Sequence, residues 1–172
     1  GGCNMRCALP NATAACTGSA CVIAACDADW WDANGDPADG CEYSCHKTAD
    51  DDAVDDTFTD ENCDGVDGDA AYAIFVSSDG NDADNGTRAR PVRTIQQGIT
   101  LASAQAPPFA VYVSAGFYGE SITLASGVSV YGLYNRADAW KRGSANVTQL
   151  LGGATAVAAT LLISPTRLDG LG

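Results

Sequence analysis

All eight cysteines of this 172-residue chain, at positions 3, 7, 16, 21, 26, 41, 45 and 63, fall before residue 64. Roughly one residue in eight of that stretch is Cys, above the density that marks a disulfide scaffold. The spacings contain no C-x-x-C, which makes a zinc ribbon a weak reading. An even count fits full pairing in an oxidising, extracytoplasmic setting. Connectivity stays open, because eight cysteines allow 105 pairings. The rest of the chain has no staple and must fold by burial, for which 46% hydrophobic residues are sufficient.

Charge is as unevenly distributed as cysteine. The formal net charge is -13 and the sequence pI about 4.1. Nineteen of the 22 acids lie between Asp27 and Asp84, with Lys47 as the one Lys or Arg among them. Phosphate binding needs clustered Lys and Arg, so nucleic acid is excluded as a partner, and an anionic membrane surface is disfavoured for the same reason. Cations are the natural partner. The longest apolar run, LLGGATAVAATLLI (150–163), contains glycines and threonines and is too short to span a bilayer, so no membrane insertion is expected and the protein should be soluble. No signal peptide is visible and the chain opens on Gly1-Gly2, as a mature or excised piece would.

Three zones follow: a disulfide-rich, loop-dominated module over 1–49, an acidic calcium-binding segment over 50–70, and a cysteine-free zone over 71–172 rich in short β-branched runs. In the third zone YAIFVS (72–77), AVYVSA (110–115), SITLA (121–125) and GVSVYG (127–132) read as strands, and NVTQLL (146–151) and AATLLIS (158–164) add two more. One helix interrupts them. In RTIQQGITLASAQAPP, Ile95, Ile99 and Ala102 repeat at helical spacing, Thr94 with Gln97 makes a capping box, and Pro107-Pro108 ends the helix. One strand, one short helix and then strands alone suggest a β-solenoid with a capped end rather than a doubly wound sheet. A helix across the first coil would remove its raw edge.

The segments IFVSSDGNDADNGTRARPVRTIQQGITLA and VYVSAGFYGESITLASGVSVYGLY carry a resemblance. They look like the start of a pectin-lyase-like right-handed parallel β-helix, and more narrowly resemble a family of unknown function. Its members open with V-S-x-x-G-x-D…G-T…P…T-I…A-I and continue V-x-V-x-x-G-x-Y-x-E-x-I-x-L. The match covers residues 74–134, with Gly98 where that family has Ala, a departure expected to loosen the helix. The upstream segment, from CNMRCALPNA to DGCEYSC, resembles cysteine-rich segments of secreted and surface proteins of predatory or soil bacteria. NCDGVDGD is similar to short metal-binding motifs found in the same proteins. The resemblance implies an all-β fold, a β-helix start with one capping α-helix, and a bacterial-type secreted or cell-surface location.

Ligand spacing singles out TDENCDGVDGD (59–69). Asp60, Asn62 and Asp64 stand at i, i+2 and i+4, followed by Gly65, as at the start of an EF-hand loop. The Val66 carbonyl would be the next ligand. Ala71 occupies the place of the bidentate Glu, so Asp67 or Asp69, or Asp55 and Asp56 from upstream, must complete the six to eight oxygens Ca2+ takes. A solvated acidic linker and another metal are the alternatives. Asp32, Asn34 and Asp36 repeat the spacing with Asp39 or Glu42 nearby, but Pro37 replaces the glycine, and a plain turn competes with calcium there. Asp79, Asn81, Asp82 and Asp84 form a third cluster, for which a hydrogen-bonded Asx loop is an equal alternative.

Other chemistry is poorly supplied. Copper wants His, Met or free Cys, and the chain has one His46 and one Met5 beside thiols expected to be oxidised. Nucleophilic triads lack residues beyond His46. β-Helix lyases, by resemblance, need calcium carboxylates beside a basic residue on one parallel face. Here Arg88, Arg90 and Arg93 sit by the cap, and Arg136, Lys141 and Arg142 in the polar loop NRADAWKRGSAN. A general acid–base pair among the carboxylates stays open. Trp30-Trp31 reads as packing before sugar stacking, and Asn11, Asn85 and Asn146 head N-x-T sequons that matter only in a glycosylating source. The expectation is an extracellular calcium-stabilised structural or adhesive surface module, partnered by itself or by a cell-surface or polysaccharide ligand. Its rival is the N-terminal part of a secreted carbohydrate-active enzyme.

Overall fold

The computed structural model describes residues 7–172, which form two compact units that divide between Asp69 and Ala70. Among the described residues no helix is long and apolar enough to cross a membrane.

The first unit starts with an antiparallel hairpin of β1 (Ala12–Thr17) and β2 (Ala20–Cys26). Its two-residue turn, Gly18-Ser19, has positive φ at both positions (58° and 76°), the mirror-image turn that matches strand twist. A second, two-residue pairing joins β3 (Trp30–Trp31) to β4 (Tyr43–Ser44). Among the described residues of this unit the buried apolar ones are Cys41, Cys63 and Val66. So small a core cannot offset chain entropy alone, and cross-links replace it: Cys7–Cys21, Cys26–Cys41 and Cys45–Cys63, with Cys16 also disulfide-bonded. Several disulfides are typical of extracellular proteins. Trp31 packs within this framework, donating from Nε1 to the Cys45 carbonyl at 3.0 Å.

The second unit is mostly β with one helix, and its sheets are parallel in places. β5 (Ala73–Val76), β6 (Ala110–Ser114) and β9 (Val130–Asn135) pair in parallel in that order, and β13 (Leu168–Asp169) adds to β9. Two further parallel pairs join β7 (Gly116–Tyr118) to β11 (Thr148–Leu150) and β8 (Ile122–Leu124) to β12 (Val157–Ala159). β10 (Lys141–Arg142) folds back antiparallel on β9. The expected strand at 127–132 thus starts at Val130 and runs to Asn135, and that at 158–164 is confined to Val157–Ala159.

Side-chain alternation makes the first sheet two-sided. Ile74 and Val76 pair with Val111 and Val113, and Val111 with Val130, building one core with Ile95, Ile99 and Ala102 of α1 (Ile95–Ser103). The other face carries Phe75, Tyr112 and Tyr131 in edge-to-face contact at 5.7 and 6.2 Å. Tyr134 stacks on Tyr112 at 4.7 Å, and Trp140 meets Phe75 at 4.8 Å. The outer edge of β5 is not raw. Phe75 and Ser77 donate to the Gly86 and Val92 carbonyls, and Val92 N–H donates to Phe75, so a loop rather than the helix protects that edge.

Helix α1 begins where it was expected. Thr94 Oγ1 accepts from Gln97 N–H at 3.2 Å, but the reciprocal bond comes from elsewhere: Thr94 N–H donates to Asp82 at 2.8 Å. Both Glu120 oxygens accept from the next two amides, Ile95 and Gln96, and carboxylates at this end also complement the helix dipole. Gly98 does more than loosen the helix. A Cβ there would lie 2.6 Å from Val76 Cγ2 and 3.0 Å from Val111 Cγ1, so the glycine is what lets α1 reach the sheet. Helix propensity alone would make Gly98→Ala stabilising by about 1 kcal/mol. Overpacking against two stiff valines costs about 1–3 kcal/mol. The expected outcome in thermal unfolding is a net loss of up to about 2 kcal/mol; a raised melting temperature would show that the valines yield.

Candidate metal centre

Residues 50–69 form a loop that Cys45–Cys63 ties down and that Glu61 registers, its carbonyl accepting from Thr48 and Ala49 N–H at 2.9 and 3.1 Å. Left-handed backbone at Cys63, Gly65 and Gly68 (φ 62°, 91° and 108°) coils the motif tightly. The oxygens expected as calcium ligands line this coil, and most accept bonds from its own amides. Asp60 takes Asp64 and Gly65 N–H at 3.2 and 2.7 Å, Asn62 takes Asp64 N–H at 2.9 Å, and Asp64 takes Val66 N–H at 3.2 Å. The Asn62 amide donates to Asp69 at 2.8 Å and to Asp64 at 3.3 Å. Asp67 accepts from Asp55 N–H, Asp55 accepts from Thr57, and Asp56 is exposed. Val66 itself is buried.

Two carboxylates that spacing did not single out, Asp52 and Glu61, matter most for the electrostatics, beside the expected ligand Asp67. Asp52 is 7% exposed and Asp67 3%. Asp52 Oδ2 accepts from Gly68 N–H at 2.8 Å, whereas its buried Oδ1 has no hydrogen-bond donor. The Glu61 carboxyl is the side chain it meets, and Asp67 adds a second like charge. Burial first, then the Glu61 carboxyl, push the Asp52 acid up to about 8, against the pull of Gly68 N–H. Two carboxyls that meet in this way stay together through a shared proton or a shared cation. Among the described residues no group of three or more His, Cys, Asp or Glu side chains is arranged to hold a metal ion.

The second and third clusters look different. Asp32, Asn34, Asp36 and Glu42 each accept from a backbone N–H in an exposed loop (those of Gly35, Asp36, Ala38 and Asn34, at 2.6–3.0 Å), and the Asn34 side-chain amide donates to Asp39. In the third, the carboxylates point to separate duties. Asp79 accepts from Ser77 Oγ and pairs with Arg136 at 2.7 Å, which together hold it below the usual carboxylate range. Asp82 caps the start of α1 through Arg93 N–H and Thr94, and Asp84 pairs with Arg90 at 2.5 Å. The structure does not bring these three onto one ion. His46 is exposed beside Asp29 at 3.0 Å.

In the second unit an open cleft of about 360 Å3 is lined by Ser77, Asp79, Ser114, Asn135 and Arg136 at the ends of β5, β6 and β9, with the Asp79–Arg136 pair across it. The base thus meets one carboxylate, not two. No curated protein and no solved structure matched the chain. Residues 78–162, from just after β5 to just past β12, match the model of a family described as a protein of unknown function (DUF1565).

Proposed function

We propose that the chain is an extracellular, calcium-stabilised structural or adhesive surface module, in which a stapled acidic unit precedes the capped first coils of a right-handed parallel β-helix. Ladder order supports the second half of that description. β6, β7 and β8 are followed by β9, β11 and β12, each parallel to its counterpart, and β13 starts another pass on β9. Gly172 exchanges bonds with Thr148 and Leu150, extending the second ladder. The family matching residues 78–162 is associated with parallel β-helix proteins. End-to-end self-association by strand addition fits this order of ladders, and Leu161 and Ile163, 86% and 90% exposed, offer apolar surface for it.

The observation that carries the calcium assignment is the burial of Asp52, Asn62 and Asp67 within one acidic loop. Of these, Asp52 and Asp67 are like acids, and like charges gathered out of water are destabilising unless something offsets them. With disulfide-bonded cysteines and an exposed His46, the donors on offer are hard oxygens, which suit calcium over softer metals. The test is elemental analysis with melting curves before and after a strong chelator. Bound calcium and a marked fall in melting temperature are expected; ligand at 100 times its Kd stabilises by about 2.7 kcal/mol. Absence of metal with an unchanged curve overturns the assignment. The Asp79–Arg136 cleft supports a second reading, in which the β unit belongs to a carbohydrate-active protein and this face takes an acidic polysaccharide. Binding or cleavage of such a polysaccharide by the chain would favour it.

A further inference from the structure

Resting on the calcium reading above, we propose that the ion is held at the buried meeting of Asp52 and Glu61, next to Asp67, rather than by the evenly spaced oxygens of Asp60, Asn62 and Asp64. The two groups of oxygens differ in what they still lack. Both Asp60 oxygens, Asn62 Oδ1 and Asp64 Oδ1 already accept amide hydrogens of their own coil. Those bonds explain the D-x-N-x-D-G spacing as the way the loop builds its turn, with no ion required. Asp52 Oδ1 is the exception: the residue is 93% removed from water, the atom has no donor, and the side chain that Asp52 meets is the Glu61 carboxyl.

An oxygen in that position forgoes its hydration without a replacement, which costs about 1–3 kcal/mol for a neutral acceptor and more for a charged one. A divalent cation between Asp52 Oδ1 and the Glu61 carboxylate removes the deficit. Asp67, 97% buried beside them, supplies further negative potential. Two carboxylates leave the remaining calcium positions to backbone carbonyls and water, a mixture that a coordination number of six to eight accommodates. The backbone is placed for it. Gly68 N–H fixes Asp52 through Oδ2, leaving Oδ1 without a donor, and Thr48 and Ala49 fix the Glu61 carbonyl. Cys63, between Glu61 and Gly68, is anchored to Cys45, so reduction of that bond would loosen both sides of the ion.

The experiment is calcium titration of the full chain after chelation and dialysis, followed by calorimetry and by the calcium-induced shift in melting temperature, for the parent, Asp52→Asn, Glu61→Gln and Asp60→Asn. Asp52→Asn and Glu61→Gln should each weaken calcium by at least about 10-fold, the loss that even an outer-shell partner produces. They should leave the metal-free protein as stable as the parent or more so, because each removes one member of a crowded, partly desolvated carboxyl pair. Asp60→Asn should lower metal-free stability through its lost turn bonds while the calcium shift persists. Parent-like affinity in Asp52→Asn and Glu61→Gln, with loss in Asp60→Asn, overturns the assignment and leaves the calcium reading intact. If the parent binds no calcium, both fall. Should Asp52→Asn fail to fold, Glu61→Gln decides, since that side chain is only partly buried.

Discussion

Replacing Cys45 and Cys63 together by alanine should cost the first unit about 3 kcal/mol, the chain-entropy value for a closed loop of this size. The bond spans 18 residues and closes the part of the acidic loop up to Cys63, with Asp60 and Glu61 inside it. Cys63 is among the few buried apolar residues of its unit, so the change also removes packing that nothing else supplies. A unit with so little core has no reserve, and a loss of this size is a large share of ordinary domain stability. The effect should appear in near-ultraviolet dichroism of Trp30 and Trp31, because Trp31 hangs its indole N–H on the Cys45 carbonyl. The β signal of the second unit should persist. Calcium should partly rescue the variant, since an ion bridging Asp52 and Glu61 restrains the same loop by another route. A loss below about 1 kcal/mol would show that the backbone bonds from Thr48 and Ala49 to Glu61 already fix the loop.

The β unit was more legible from sequence than the acidic one, for reasons that lie in the range of the interactions. Ile74, Val76, Val111 and Val113 sit in short alternating runs bounded by turn residues, a local pattern that survives into the sheet. Thr94 marked the helix start because capping is decided within one turn. Gly98 misled: helix propensity sees one residue, while the close approach to Val76 and Val111 exists only after folding. NRADAWKRGSAN read as a polar loop, yet it carries Trp140 into the aromatic layer. It also places Arg142 in the interior, where Nε donates to the Gly132 carbonyl and the guanidinium lies over Tyr134 and 3.8 Å from Asp169. No periodicity announces either placement.

At the candidate site the spacing of Asp60, Asn62 and Asp64 was visible, but spacing fixes only which oxygens share a loop. Whether they are left for an ion depends on which amides the turn presents to them, and those amides take Asp60 on both oxygens. Asp52 and Glu61 gave no signal, being one acid in a run of three and one in a run of mixed ligands; their meeting is made by a chain reversal between them. The acids at 79–84 were ambiguous in the same way. Asp82 caps a helix whose N-cap, Thr94, lies twelve residues further on, and only the fold assigns it there.

The largest single-residue effect in the second unit is expected at Trp140. The ring is 3% exposed, meets Phe75 at 4.8 Å with an interplanar angle of 73°, and closes the layer that Phe75, Tyr112, Tyr131 and Tyr134 build. It reaches that place from a left-handed turn, with φ of 48° at Ala139 and 66° at Trp140, held by Trp140 N–H on the Asn135 carbonyl at 2.8 Å. Trp140→Ala keeps the backbone bond and empties the space, so the loss is the transfer and cavity energy of the ring, about 3–5 kcal/mol. For a unit of this size that corresponds to a fall of roughly 15 °C or more in melting temperature, followed by the β dichroism. Lys141→Ala, one residue on and exposed, should stay within about 0.5 kcal/mol. If the two variants melt together, the aromatic face does not hold the sheet, and the stability of the second unit rests on the valine core beneath α1.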